Sequence, residues 1–143
     1  MNTYQFISIF ISMSYIFYSL WGRFYDDERY YNKLLVSKTL QINIVLAILF
    51  AVFGVIVDLV IFKITVQTSI YFMPICFIGL LHFFNKLCFL INKRQFHSIR
   101  SSVDMNLERK DFIDLLFTMI LMFLSFTLPL MIFNLIINNK LFN

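Results

Sequence analysis

Four stretches of this chain carry no charged residue: Met1–Gly22, Thr39–Val57, Ile64–Asn85 and Leu115–Asn139, of 22, 19, 22 and 25 residues. A helix needs roughly 20 apolar residues to cross a hydrocarbon core about 30 Å thick, so each run can span a bilayer once. Amide groups in lipid must be satisfied within their own segment, and the runs show little alternation of apolar with polar residues, which favours helices over a barrel. The pattern predicts an all-α polytopic membrane protein. Its four transmembrane helices occupy about 2–22, 39–62, 67–91 and 112–137, joined through cytoplasmic or matrix loops at 23–38 and 92–111. With 143 residues and 60% hydrophobic content, the chain reads as one transmembrane domain, 1–143.

Positive charge sets the expected topology. The first long loop holds Arg23, Arg29, Lys33 and Lys38, and the second Lys93, Arg94, Arg100, Arg109 and Lys110, against Lys63 and Lys140 on the other side. Loops rich in Lys and Arg stay on the side of synthesis, so both long loops face inward and both termini outward, in a bacterial or mitochondrial inner membrane. The net charge of +4 is accounted for by this asymmetry, and no base-reading motif accompanies it, so no nucleic-acid partner is expected. The first run lacks a basic start and a small-residue cleavage site and ends in Trp21-Gly22-Arg23, an interfacial anchor rather than a signal-peptide end.

Within the second span, Asn43, Ala47, Ala51, Gly54 and Asp58 recur at spacings of four, four, three and four, and include both alanines of the chain. Small residues let membrane helices approach closely and polar ones hydrogen-bond across the contact, so this face is the expected packing seam, with Gly79 contributing from the third span. Matching inward stripes are expected from Ser8, Ser12, Tyr15 and Ser19 on the first span, Gly79, His82 and Lys86 on the third, and Asp111, Asp114, Thr118, Met122, Ser125 and Pro129 on the fourth. Pro74 and Pro129 are expected to kink the third and fourth spans. In the second loop, Phe96, Ile99, Val103 and Leu107 fall at spacings of three, four and four, the pattern of a short amphipathic interfacial helix facing lipid or a partner's groove.

Charges inside spans are costly and are candidates for function. At 1.5 Å per residue, Asp58 lies about 6 Å from the outer end of its span, beside Lys63, and is expected to be an interfacial carboxylate. Lys86 and Asp114 fall within roughly 5 Å of the same depth and could form an intramembrane ion pair. The alternative is that Lys86 snorkels to headgroups while Asp114 marks a helix start. His82 is the one histidine within a span, and haem ligation there would need a second ligand at its depth. Cys76 and Cys88, twelve residues apart on one helix, cannot form a disulfide, and no CxxC, nucleophile elbow or carboxylate pair appears. No catalytic residue, cofactor or metal is therefore expected.

What remains is a non-enzymatic protein that acts by lateral helix contacts with another integral membrane protein or with itself, as a subunit of an inner-membrane complex such as an energy-transducing assembly. An immunity protein against a pore-forming bacteriocin and a small transporter or channel subunit are the alternatives. Ser125-Phe126-Thr127-Leu128-Pro129-Leu130-Met131-Ile132, after a basic loop, is similar to the ends of pore-forming-colicin immunity proteins. The likeness covers roughly the final third of the chain and contains no specific motif. The fourth span departs from three-span members of that group.

Overall fold

A computed structural model describes residues 3–22, 30–61, 63–96 and 109–141. In order along the chain come α1 (Thr3–Trp21), α2 (Tyr30–Leu34), α3 (Ser37–Ile61), a 3-10 helix (Val66–Phe72), α4 (Met73–Asn92) and α5 (Arg109–Leu141). The described residues are mostly helical and contain no strand. Three segments are long and apolar enough to cross a membrane: Lys38–Ile61, Val66–Asn92 and Phe112–Asn138. Their bounds lie within two residues of those expected for the second, third and fourth spans. The first is a 19-residue helix, about 28 Å long, but Gln5, four serines and three tyrosines make it more polar than the other three.

The segment Val66–Asn92 is the hub. The 3-10 helix packs against α1, α3 and α5, and α4 continues along the same three helices, with its longest contact along α5. Its core face is Met73, Phe77, Leu81, Phe84 and Cys88, all buried. Their spacing of four, four, three and four repeats the register of the α3 seam with bulky groups in place of small ones. Ile16 and Leu20 of α1, Leu34 of α2, Ala47 of α3 and Leu121 of α5 complete the cluster around them. Phenylalanine edges fill the remaining space, with Phe84 and Phe117 centroids 5.1 Å apart and Tyr15 meeting Phe77 edge-on at 6.1 Å.

Pro74, expected to kink this segment, falls where it changes from 3-10 to α-helix. It stands in the first turn of α4, where its missing N–H is one that has no intrahelical partner anyway. Its effect falls upstream, because a proline cannot donate to the carbonyl four residues back and its ring crowds that turn. That carbonyl is Ile70. It accepts instead from the Met73 N–H in the tighter 3-10 pattern, and from Ser12 Oγ of α1 at 3.3 Å. The Thr65 N–H donates to Thr68 Oγ1 at 3.1 Å and fixes the start of the same segment. Pro129, by contrast, lies inside α5 and the helix continues through it. There Ser125 Oγ donates to the Leu121 carbonyl at 2.6 Å and Thr127 Oγ1 to that of Phe123 at 2.9 Å.

Candidate functional site

Polar side chains meet at three places around the hub. The first centres on Asp58, which is fully buried near the end of α3. Thr68 Oγ1 donates to Asp58 Oδ2 at 2.6 Å, a short bond of the kind a carboxylate makes with a hydroxyl, and the Tyr71 hydroxyl donates to Oδ1 at a long 3.5 Å. Asp58 is thus a buried carboxylate and not the interfacial one beside Lys63 that its depth suggested; Lys63 itself is exposed. The carboxylate points into the bundle because α3 must present the same face there that carries Gly54. A Cβ at Gly54 would overlap the Tyr71 ring, so the glycine is the seat that brings the phenol beside Asp58 one turn later. Phe50 closes the other side of that ring, centroid to centroid at 5.8 Å.

The second centre joins α1, α2 and α3. The hydroxyls of Tyr15 and Tyr30 both donate to Asn43 Oδ1 at 3.1 Å, and Asn43 Nδ2 donates to the Thr39 carbonyl at 2.8 Å. One amide thus uses both ends, and both tyrosines are held by the same acceptor. His82 extends the tie to α4: its Nε2 lies 3.2 Å from the Leu34 carbonyl at the end of α2, a contact that requires the Nε2–H tautomer. The imidazole thereby satisfies a helix-end carbonyl that has no intrahelical donor.

The third centre surrounds Asp114, also fully buried. Arg94 Nη2 lies 2.8 Å from Oδ2, Cys88 Sγ donates to Oδ1 at 3.0 Å, and Asn92 Nδ2 reaches the same sulfur at 3.6 Å. Arg94 arrives from beyond α4 because Lys93 takes a left-handed conformation (φ 53°) and its N–H returns to the Phe89 carbonyl at 3.0 Å. The chain then folds back, the Phe96 N–H donates to Asn85 Oδ1 at 2.9 Å, and the Phe96 ring is buried.

These contacts correct several expectations. Asp114 does form an ion pair, but with Arg94; Lys86 is exposed, and no described carboxylate pairs with it. Depth along α4 suits Lys86, but rotation does not. Cys88 faces Asp114, and a residue two positions earlier is turned about 200° away. Gly79 is exposed with nothing within 4 Å of where a Cβ would stand, so it takes no part in the packing seam. The other seam residues, Asn43, Ala47, Ala51, Gly54 and Asp58, are all buried. Ser8, Ser12 and Ser19 of α1 and Asp114, Thr118, Ser125 and Pro129 of α5 are buried too. Ile99, Val103 and Leu107 lie outside the described residues, and of the surface-helix set Phe96 alone is described. Sequence reading missed Arg94, Thr68 and Tyr71. The Thr65–Thr68 spacing ahead of Pro74 is the signal that could have marked the last two.

Chemically these centres are clasps. Among the described residues no three His, Cys, Asp or Glu side chains group as metal ligands. The two grooves flanking α3, of about 180 and 380 Å³, are lined by Ile11, Tyr15, Asn43, Leu46, Ala47, Phe50 and Pro74 and by Ile48, Ala51, Val52, Val55, Ile56, Phe72 and Ile75. Asn43 is the strongest polar group in either, and its amide is already committed to the tyrosines and to Thr39. Outside the clasps, α3 exposes Ile42, Leu49, Phe53 and Val60, and α5 exposes Phe112, Met119, Phe123 and Leu135. No protein-family model, curated protein or solved structure matches the chain.

Proposed function

We propose that this chain is a small non-enzymatic integral membrane protein with four spans, α1 included, that acts by lateral helix contacts as a subunit of an inner-membrane complex. The observation that carries the proposal is the division of labour across each helix. Polar groups turned inward bond to one another, and the faces left for interaction are apolar along α3 and α5. Membrane helices associate through such faces by close packing rather than by hydrophobic drive. The fourth span is supported by the same division: Gln5, Ser8, Ser12 and Ser19 of α1 are buried while Phe6, Ile7, Phe10 and Phe17 are exposed. An average over the whole helix counts polar groups that lipid would not meet. The basic end of the bundle, where α4 ends and α5 begins, is assigned to the cytoplasm or matrix by its lysines and arginines.

Mild-detergent extraction of the tagged protein from its own host, followed by mass spectrometry and native mass, tests this. Stoichiometric recovery of a different integral membrane protein is the expected result; recovery alone as a defined homo-oligomer would overturn it. A pore-forming bacteriocin as the partner is the second version, favoured by the resemblance over Ser125–Ile132 and tested by survival of host cells exposed to such toxins. A transport role draws on one observation, the buried Asp58 with hydroxyl partners alone among the described residues, and would require ion flux in liposomes that Asp58→Asn removes.

A further inference from the structure

Lys86 is a cation on the outer face of a membrane span. It lies six residues before the end of α4, about 9 Å inside the helix, and is exposed. Beside it is a groove of about 370 Å³ lined by Asn85, Lys86, Phe89, Leu90 and Gln95. Three features of that groove suit a phosphodiester with a fatty tail. The lining has one cation and no acid. Asn85 Oδ1 is already occupied by the Phe96 N–H at 2.9 Å, which leaves the amide's N–H groups as the end offered to a ligand, and these are donors. Phe89 and Leu90 are exposed and supply an apolar floor between Lys86 and the end of α4. The turn at Lys93 brings Gln95 back to line the same groove. The long stem of Lys86 carries its ammonium toward the basic end of the bundle, the depth at which lipid phosphates lie.

We infer that this groove binds the phosphate of an anionic lipid in the leaflet at the basic end of the bundle, with Lys86 as counter-ion, the Asn85 and Gln95 amides as donors and the headgroup end of an acyl chain against Phe89 and Leu90. The inference rests on the membrane reading but not on the lateral-partner reading, so the two fail separately. Arg94 is committed to Asp114 and is not available for this role.

Native mass spectrometry of the purified full-length protein, with equimolar phosphatidylglycerol and phosphatidylcholine, tests it. Wild type should retain one phosphatidylglycerol in preference to phosphatidylcholine, and Lys86→Gln should lower that retention about fivefold, the effect of one lysine near an anionic surface. Lys86→Arg should keep it. Lys93→Gln removes the same charge from an exposed residue outside the groove and should lower retention clearly less than Lys86→Gln. Equal retention of the two lipids by wild type, or equal loss in Lys86→Gln and Lys93→Gln, would overturn the site. Displacement of the lipid by inorganic phosphate alone would show a free-anion site and overturn it as well.

Discussion

Asp58 and Asp114 are both fully buried, near opposite ends of the central span, and the bundle treats them differently. Asp114 has a guanidinium at 2.8 Å and a thiol at 3.0 Å. Asp58 has a threonine hydroxyl at 2.6 Å and a tyrosine hydroxyl at 3.5 Å, and among the described residues no cation. The contrast follows the surroundings of each end. At the basic end, arginine is at hand just past α4, and a left-handed turn suffices to return it. At the other end the chain offers hydroxyls from the 3-10 helix, because Pro74 prevents an ordinary helix there and leaves Thr68 and Tyr71 facing α3. A carboxylate paired with a cation depends on that one partner, whereas one held by hydroxyls needs only an acceptor of the right shape. Losing the partner should therefore cost most at Asp114, and losing the charge should cost least at Asp58.

The largest effect is expected from Arg94→Ala, which leaves Asp114 buried without its counter-ion. A loss of about 3 kcal/mol in detergent unfolding is expected, and a loss under about 1 kcal/mol would refute the latch. Gly54→Leu should follow at about 2 to 3 kcal/mol, because the added side chain must displace the Tyr71 ring; normal accumulation in the membrane would contradict the close approach. Thr68→Val removes the short bond to Asp58 and should cost about 2 kcal/mol, while Asp58→Asn preserves an acceptor and should cost under about 1 kcal/mol. Reversal of that order would mean that the charge at Asp58, not its geometry, is what the fold requires.

The α3 seam was legible in the sequence because both alanines and a glycine stand on one face with Asn43 and Asp58, and small residues have few uses in a span other than close approach. The complementary α4 stripe was not. Met73, Phe77, Leu81, Phe84 and Cys88 have the same spacing, but in an apolar background a bulky stripe is indistinguishable from a lipid-facing one. Taking small and polar residues as the inward set therefore placed Gly79 and Lys86 on the wrong side. Spacing gives depth and relative angle, but which angle faces the bundle is fixed by the partner helices. Arg94 was illegible for another reason: its role depends on the turn at Lys93, where a non-glycine residue adopts a left-handed conformation.

That turn supplies a smaller test. Lys93→Gly removes the steric cost of the left-handed residue and should stabilise the protein by about 1 kcal/mol or less, with the Arg94–Asp114 pair retained; destabilisation would mean the Lys93 side chain contributes contacts of its own. Smallest of all is the coupling expected between the two halves of a charge swap, Lys86→Asp and Asp114→Lys. The double variant should be no more stable than Asp114→Lys alone, since the two side chains face opposite sides of the interhelical contact; rescue would place them together after all.

The central claim is that the clasps serve the bundle and the apolar faces serve a partner. Photocrosslinking in native membranes from Phe53, which is 68% exposed on α3, with buried Ala51 as the internal control, tests it most directly. A discrete adduct between the Phe53 probe and another integral membrane protein, absent from Ala51, is the predicted result. Adducts with lipid alone from Phe53, and likewise from Phe123 on α5, would contradict it.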